Sequence, residues 1–405
     1  MSFLATYPDK EFFIKKAEQS SSGITPNVNA HIHSPYSYSS FNSIEQSFEM
    51  ALKENIEVLG INDFFVTDGY AEFESHALKN RVFPLFNIEF IGLMKDAQTK
   101  GVRINDPNNP GRIYVSGKGL KNPLTLDPEN ESLVKQVINE SQLQIKAIIE
   151  KANQWFFDKN IAIQLNYSTI KEAFARELVR ERHIAKAIRV EMEKTFTTVK
   201  ELTDAYQIIF NGKPVKSEIT EVAAIENEIR GNLLKSGGPA FVEETEASFL
   251  DIKILIKIIR NAGGIPCYPV LLDDNNGFIT EFEANYSNLA IELTQLGIAC
   301  IELIPNRNDF DVLKNFASYF DKKGFAVLLG TEHNTPDLIP ITPSARGKKE
   351  LDEELKLISY KGVCVVSAHQ YLVSKGEKGY VDIAQKTELV NLGKAIIDYY
   401  LSNSK

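Results

Sequence analysis

Two histidines that could share a metal ion stand at the end of the first apolar run of the chain. His31 and His33 are separated by a single residue in NAHIHSPYS. If residues 28–32 form a strand, the two side chains point to the same face, and both imidazoles can reach one ion. Two surface histidines on an exposed strand end would give the same pattern, so the pair needs support from elsewhere in the sequence.

Further acidic and imidazole groups follow later apolar runs in the same way. Asp63 follows VLGIN, Glu89 follows FPLFNI, Glu302 lies within IACIELIP, and Glu332 and His333 follow FAVLLGT. In barrel enzymes the catalytic groups gather at the carboxyl ends of the strands. Residues that are scattered in sequence are therefore expected to converge in space, and the set indicates a site more strongly than any one member does.

The elements that must position these residues alternate between strands and helices. Ser43 and Gln46 have the spacing of a capping box, and an amphipathic segment then leads into the apolar run at residues 57–61. Further apolar runs that predict strands occupy residues 82–88, 113–115, 161–165, 265–272, 298–304, 325–329 and 363–366. Alternation of this kind favours a parallel sheet or barrel, so the predicted fold class is α/β.

The same pattern predicts how the chain is divided. Residues 1–27 form an N-terminal extension that ends in a polar linker, and the barrel takes residues 28–120 and 250–345. Long charged helical segments predict a helical insertion at residues 121–249, which we expect to cover one end of the barrel as a lid. Residues 346–405 are expected to add a strand and a helix that pack on the barrel.

Composition and charge exclude several classes of protein. A hydrophobic fraction of 43% and a charged fraction of 24% are typical of a globular chain rather than of a disordered or fibrous one. The formal net charge of −9 disfavours non-specific nucleic-acid binding. The sequence has no long apolar span and no recognisable leader, so we expect no membrane association and a cytoplasmic location. The oligomeric state is left open.

The order of the motifs resembles that of the polymerase and histidinol phosphatase (PHP) family. NAHIHSPYS resembles the family's opening His-x-His motif, EVLGINDFFVTDGYAEF its Thr-Asp-His segment, and FPLFNIEF its G-x-E strand. RERHIAKAI is similar to the G-R-P-H-I-A segment, GGIPCYPV stands where the family has Ala-His-Pro, and LLGTEHNTP resembles its Gly-Ser-Asp-x-His-x-P ending. The resemblance covers about residues 28 to 345 and implies a PHP-type distorted (β/α) barrel with a mostly helical insertion.

In that family, histidines and carboxylates bind divalent metals that activate water for attack on a phosphate ester. Carried over position by position, the resemblance implies that His31, His33, Glu89 and His183 are metal ligands. Glu332 stands where the family has an aspartate and offers the same oxygen donor. The resemblance therefore predicts a divalent metal cofactor.

Three more assignments complete the predicted site. His333 is displaced by one position from a family ligand and is a further candidate metal ligand. The candidate catalytic residues are His183, as a ligand or general acid, Arg112, as a holder of a substrate phosphate or carboxylate, and Asp63, in the segment that resembles Thr-Asp-His. Taken without the resemblance, His183 is more typical of a structural residue on a helix, and Arg112 of a solvated surface residue.

Several family ligand positions hold other residues. Phe64, Tyr268 and Asn334 replace histidines, Tyr38 replaces an aspartate, and Arg112 replaces a histidine ahead of a strand. Phenylalanine cannot coordinate a metal, and tyrosine or asparagine would be unusual ligands, so a full trinuclear centre is not expected. The donors that remain suit Zn, Mn or Fe, with fewer ions than a complete PHP site holds.

The leading hypothesis is a PHP-like metal-dependent hydrolase of the phosphoesterase type that acts on a small phosphorylated or otherwise anionic metabolite. The alternative is a catalytically inactive PHP-fold protein that binds a sugar-like ligand or a partner chain, because ligands are lost across the site. A third hypothesis is a repurposed site in which Arg112, Tyr268 and Asn334 form hydrogen bonds to a sugar-like substrate.

Overall fold

The structure, a computed structural model, describes residues 2–19, 25–274 and 276–403. The strands are β1 Asn27–Ile32, β2 Ile56–Phe64, β3 Phe83–Leu93, β4 Arg112–Lys118, β5 Leu250–Asp251, β6 Ile265–Val270, β7 Cys300–Leu303, β8 Ala326–Leu329, β9 Ser344–Ala345 and β10 Lys349–Glu350. The helices are α1 Lys10–Gln19, α2 Ile44–Lys53, α3 Tyr70–Asn80, α4 Lys95–Thr99, α5 Pro128–Asp158, α6 Tyr167–Phe174, α7 Glu181–Thr195, α8 Val199–Ile209, α9 Val222–Ile229, α10 Ile252–Asn261, α11 Tyr286–Gln295, α12 Phe310–Lys322, α13 Glu353–Ser374 and α14 Lys386–Asn403.

Seven of the strands in the described part of the chain form one curved sheet in the order β1-β2-β3-β4-β6-β7-β8, and β5 pairs with the end of β3. Strand β4 runs antiparallel to both of its neighbours, whereas the other neighbours along this path are parallel. The first and last strands meet at a bridge between Ile32 and Glu332, where the backbone N–H of His33 donates to the Glu332 carbonyl at 2.7 Å. The sheet is therefore a nearly closed barrel, which confirms the predicted distorted (β/α) barrel.

Amphipathic helices cover the outside of this barrel. Helix α2 begins at the predicted cap, where the Ser43 hydroxyl accepts from the backbone N–H of Gln46. Helix α10 turns five apolar residues towards the sheet and leaves its lysines outside. Strands enclosed in this way are buried on both faces, which is why they appear in the sequence as apolar runs rather than as an alternating pattern.

A group of helices, α5 to α9, occupies the chain between β4 and β5 and has a hydrophobic core of its own. Its first helix is capped by Asp127 and starts with Pro128, both favourable at a helix start. The apolar run at residues 161–165, predicted as a strand, is irregular chain after α5, so that prediction is wrong. Ile161, Ile163 and Leu165 alternate into the helical core, which produces a strand-like period with no partner strand. The predicted division into domains stays a prediction.

The apolar run at residues 363–366, predicted as a strand, lies inside α13, so that prediction is wrong too. Helix α13 is buried along most of its length between the barrel and α14, so its sequence is apolar all round and shows no helical period. Two glycines allow this close packing. A Cβ atom on Gly362 would overlap the Val327 carbonyl of β8, and one on Gly393 would overlap the backbone of Cys364.

The N-terminal residues form a short 3-10 turn and α1, and α1 packs against α14. Most of the polar linker predicted for residues 19–27 lies outside the described residues, and β1 begins at Asn27. Among the described helices, none is both long enough and apolar enough to cross a membrane.

Candidate metal centre

The His-x-His pair lies at the end of β1, inside the barrel. His31 is in β1 and His33 directly follows it, so the alternation of the strand sends both imidazoles to the same side. Both side chains are almost fully buried, and their Nε2 atoms are 3.2 Å apart. The spacing predicted from the sequence therefore produces two adjacent nitrogen donors.

Glu89 of β3 adds an oxygen donor to this pair. Its Oε2 lies 3.2 Å from Nε2 of His33, and among the described residues that oxygen has no hydrogen-bond partner. Burial raises the pKa of the Glu89 carboxyl to about 8. One donor atom from each of His31, His33 and Glu89 lies within 4.8 Å of the other two, which is close enough for one ion to contact all three.

Glu302 of β7 determines which nitrogen of His31 faces this space. The Glu302 carboxylate accepts from Nζ of Lys118 at 2.5 Å and from the Ser116 hydroxyl at 2.6 Å, and lies 2.9 Å from Nδ1 of His31. Burial opposes ionisation, but the ammonium of Lys118 holds the pKa of Glu302 well below its usual range. An ionised carboxylate can only accept, so Nδ1 of His31 carries the proton and Nε2 keeps its lone pair.

Asn62 of β2 contacts the same ring without blocking that lone pair. Lys118 donates to Oδ1 of Asn62 at 3.0 Å, which turns the amide nitrogen towards His31 because an ammonium can only donate. The amide nitrogen is 2.9 Å from Nε2 and 3.4 Å from Nδ1 of His31. Two similar distances place it over the face of the ring, so the in-plane lone pair of Nε2 stays accessible to an ion.

A second set of hydrogen bonds orients His33. Asp63 accepts from the Ser37 hydroxyl at 2.6 Å, from the Ser34 hydroxyl at 2.5 Å and from the Ser34 backbone at 2.8 Å. Burial raises the pKa of Asp63 to about 6, so the carboxylate is mainly ionised at neutral pH. Because the Ser37 proton goes to Asp63, its oxygen accepts from Nδ1 of His33 at 3.2 Å. Burial also holds the pKa of His33 well below its usual range, so the ring is neutral. With the proton on Nδ1, Nε2 has a free lone pair that can bind a metal ion.

These residues fit a divalent ion. Nε2 of His31, Nε2 of His33 and Oε2 of Glu89 all present lone pairs to one buried space, and lone pairs repel one another unless a proton or a cation lies between them. With a pKa of about 8, Glu89 holds a proton at neutral pH, and a divalent ion that displaces this proton satisfies all three atoms at once. Mixed imidazole and carboxylate donors suit Zn, Mn or Fe. The hydrogen bonds behind both histidines are the outer-shell contacts expected around a metal site.

An aromatic side chain and a guanidinium adjoin this triad. Phe64, the register partner of Glu89 across β2 and β3, stacks on the His33 ring with centroids 4.9 Å apart. The guanidinium of Arg180 also lies over the Phe64 ring, with its central carbon 4.4 Å from the ring centroid. Phe64, which stands where the PHP family has a histidine, therefore contacts both the His33 ring and the Arg180 guanidinium.

Glu332 and His333 lie near the triad but are engaged with other protein groups. Glu332 forms an ion pair with Arg307 at the open end of the barrel. The ring of His333 bonds through Nδ1 to the Thr331 hydroxyl at 2.8 Å and through Nε2 to the Ile339 carbonyl at 3.0 Å. Both residues have positive φ angles, which fixes the sharp turn after β8. Neither side chain joins the triad in this arrangement.

The three candidate catalytic residues also have protein partners. His183 is the third residue of α7, and its Nδ1 accepts from the Arg180 backbone at 2.9 Å, so it caps the helix. Arg112 pairs with Glu244 at 2.7 Å. Asp63 lies behind His33, as described above, and orients that ring. The structure therefore brings His31, His33 and Glu89 together, with Asp63 supporting them, and leaves His183 and Arg112 in bonds to other groups.

The residues that replace family ligands point elsewhere or remain partly exposed. The Tyr268 hydroxyl donates to Glu283 at 2.8 Å, and burial raises the pKa of Tyr268 well above its usual value. Tyr38 packs its ring edge-on against His183, with centroids 4.9 Å apart. Asn334 is partly buried after the turn that contains Glu332. None of these three supplies a donor to the triad.

Sequence reasoning missed the residues that fix the histidines from behind. Lys118, a basic residue that was not predicted to lie in the interior, is fully buried and paired with Glu302. Asn62 and Ser37 carried no prediction at all. Alternation could have identified Lys118 and Ser116, because residues 112, 114, 116 and 118 of β4 share one face, and that face carries Ser116 opposite Glu89.

Comparisons with known proteins support the fold. No protein-family model matches the chain, and neither does any curated protein. Solved structures that match include a protein described as a metal-dependent phosphoesterase from Bifidobacterium adolescentis, which is 14% identical with a TM-score of 0.52 over 83% of this chain and 96% of that one. They also include an amidohydrolase from Chromobacterium violaceum with bound sulfate and no metal, 16% identical with a TM-score of 0.49 over 79% of this chain and 93% of that one. The first similarity shows a shared fold.

Proposed function

We propose that the protein is a PHP-like metal-dependent hydrolase that holds one divalent ion on His31, His33 and Glu89. The observation that carries this proposal is the convergence of three lone pairs on one buried space, with each histidine fixed in the required tautomer. The resemblance of the motifs to the PHP family, and the fold shared with a protein described as a metal-dependent phosphoesterase, agree with it. The proposed substrate is a small phosphorylated or otherwise anionic metabolite.

The chain's own residues prepare this site in three ways. Glu302 and Lys118 hold His31 from one side, and Asp63 with Ser37 holds His33 from the other. When bound, a divalent ion supplies Lewis-acid activation of water and of an ester oxygen. Burial of the triad excludes bulk water, so charges inside the site interact more strongly than they would in solvent.

We expect fewer ions than a complete PHP site holds. Phe64 offers no donor atom, and the Tyr268 hydroxyl is bonded to Glu283. The ion pair between Glu332 and Arg307 would have to open before that carboxylate could bind a metal. One ion on the three converging donors is therefore the arrangement that requires no rearrangement of the protein.

Metal analysis combined with a substrate screen tests this proposal. The protein is purified without chelator, its Zn, Mn and Fe content is measured by mass spectrometry, and hydrolysis of phosphomonoesters, phosphodiesters, lactones and amides is followed. The account predicts about one ion per chain and hydrolysis that is lost in Glu89→Gln. A protein that contains no metal and takes up none on addition would contradict it.

A ligand-binding protein without catalysis is the second candidate. It is favoured by Phe64, which fills a family ligand position with an apolar ring, and by the protein partners that His183 and Arg112 already have. Such a protein would retain an ion or an anion yet hydrolyse nothing in the same screen. Metal content together with the absence of turnover would therefore favour this second function over the first.

A further inference from the structure

Arg180 presents a positive charge beside the candidate metal centre without an acidic partner. Its guanidinium carbon lies 4.4 Å from the ring centroid of Phe64 and 5.8 Å from that of Phe65. The Phe64 ring in turn stacks on His33 at 4.9 Å. The order His33, Phe64, Arg180 therefore places a guanidinium one aromatic ring away from a metal-binding imidazole.

The backbone of Arg180 is fixed, so this placement is defined by the fold. Its N–H donates to Nδ1 of His183 at 2.9 Å, and its carbonyl accepts from the backbone N–H of His183 at 2.9 Å. His183 is itself buried against the ring of Tyr38. The capping interaction therefore holds the start of α7, and with it the base of the Arg180 side chain, over the barrel.

Other arginines of the same helical region have polar partners, whether an acid or, for Arg182, the side-chain oxygen of Asn227 at 3.0 Å. Arg176 pairs with Glu72 at 2.6 Å, Arg189 with Glu226 at 2.8 Å, and Arg230 with Glu181 at 2.5 Å. Across the residues that the structure describes, the guanidinium of Arg180 has neither an ion pair nor a hydrogen bond. Burial lowers the pKa of Arg180, and the carboxylates of Glu244, Glu181 and Glu89 offset this effect only in part.

Three acids lie near Arg180, and of these Glu181 and Glu244 are already paired while Glu89 belongs to the candidate metal triad. Glu181, the next residue in the chain, bonds to Arg230 and Lys235. Glu244, which is close enough to influence the pKa of Arg180, pairs with Arg112 at 2.7 Å. The protein therefore keeps one guanidinium free at this place while it satisfies its neighbours.

We propose that Arg180 binds an oxyanion group of the substrate, with Phe64 as the platform that aims its N–H groups towards the metal triad. This rests on the proposed function for the ion beside it. A guanidinium that stacks on an aromatic ring by its face leaves its edge N–H groups free, and that edge matches a phosphate or carboxylate with two parallel hydrogen bonds. Phe64 cannot bind a metal, but its ring holds the Arg180 side chain in place. The substrate class is then an ester or amide that carries an oxyanion group.

Binding of inorganic phosphate tests this proposal directly. Isothermal titration calorimetry is performed on the protein as purified and after metal loading, with wild type, Arg180→Gln, Arg180→Lys and Arg176→Gln. We expect the Kd for phosphate to rise about 10- to 100-fold in Arg180→Gln, because a charge-assisted contact is lost. Arg180→Lys keeps the charge without the fork and should give a smaller rise. Arg176→Gln is the matched control, since Arg176 also lies over an aromatic ring, that of Tyr36, but has an acidic partner.

A footprint on the wild-type protein covers the case in which the variants do not fold. Phenylglyoxal modification, mapped by mass spectrometry, should label Arg180, and inorganic phosphate should protect it. Arg176 and Arg189 serve as internal references that phosphate should leave unchanged. Labelling of Arg180 that phosphate does not alter would overturn the proposal, as would an unchanged phosphate Kd in Arg180→Gln or no measurable phosphate binding by the wild type.

The two proposals fail in different ways. If Arg180 does not bind the anion, the phosphate Kd is the same in the variants while metal content still depends on Glu89. If the protein is not a metal enzyme, no ion is bound, yet phosphate affinity still depends on Arg180. Measurement of metal content in each variant separates these results.

Discussion

The substitution Glu302→Gln tests whether the residues behind His31 control metal binding. Gln has nearly the same shape as Glu, so its oxygen can still accept from Lys118 and from Nδ1 of His31. Its amide nitrogen can turn towards the Ser116 hydroxyl. The hydrogen-bonded geometry is therefore preserved and only the negative charge is removed.

Two separate effects follow from the loss of this charge. Loss of an outer-shell carboxylate typically weakens metal affinity 10- to 100-fold, which corresponds to about 1.4 to 2.7 kcal/mol. Lys118 is left buried without its counter-ion, and breaking a buried pair in this way costs about 3 to 5 kcal/mol of folding free energy. We therefore expect a folded but less stable variant with a Kd for Mn²⁺ raised at least tenfold.

The assays are equilibrium metal titration and urea unfolding, with Ser116→Ala as the control. Ser116→Ala removes one hydrogen bond to the same carboxylate and should cost about 1.5 to 3 kcal/mol of stability. Because it leaves the charge of Glu302 in place, its metal affinity should be close to that of wild type. A Glu302→Gln variant that is destabilised yet binds Mn²⁺ as tightly as wild type would refute the reasoning.

Three other substitutions probe the site and the fold. Phe64→His should increase metal affinity or the number of bound ions, measured by mass spectrometry, because the new imidazole would replace a ring that already contacts His33; unchanged metal content would contradict this. Gly362→Ala should lower the free energy of unfolding by about 1 to 3 kcal/mol, whereas Gly231→Ala, whose Cβ would have no atom within 4 Å, should leave it nearly unchanged in urea titrations. Burial lowers the pKa of His369 to about 4, so the unfolded chain takes up its proton first and stability falls as the pH drops from about 6.5 towards 4. At pH 5 the loss should be about 2 kcal/mol smaller in His369→Gln than in wild type, in which other buried histidines also contribute, and equal losses in both would exclude His369 as a cause.

The barrel and the grouping of His31, His33 and Glu89 could be predicted because their signals are local or repeat along the chain. His31 and His33 follow from two-residue alternation at the end of an apolar run, and Glu89 follows from its position late in another such run. The parallel strands were visible because both of their faces are buried, which leaves continuous apolar segments. The resemblance to the PHP family then indicated that His31, His33 and Glu89 belong to one site.

The contacts that orient the site could not be predicted because they join residues far apart in sequence. Lys118 and Glu302 are separated by 184 residues, and nothing in either local pattern indicates that they pair. The ion pair between Arg307 and Glu332 is likewise a product of how the strand-end loops fold. A search for ligand types in sequence finds candidate donors, but it does not show which donors already have a partner.

Helix α13 shows the same limit for secondary structure. Its central residues are apolar on every side because the helix is enclosed by the barrel and by α14. A segment buried all round loses the 3.6-residue period that identifies a surface helix, so a short window of it looks like a buried strand. Only the length of the helix, 22 residues, distinguishes the two.

Anomalous diffraction from crystals grown with Mn²⁺ and without chelator tests the central claim most directly. The account predicts one anomalous peak per chain inside the barrel, coordinated by Nε2 of His31, Nε2 of His33 and a carboxylate oxygen of Glu89, with His31 still bonded to Glu302. The same crystals of Glu89→Gln should lose the peak or retain it at low occupancy. The absence of a peak in the wild type, or a peak that none of these three residues contacts, would contradict the account.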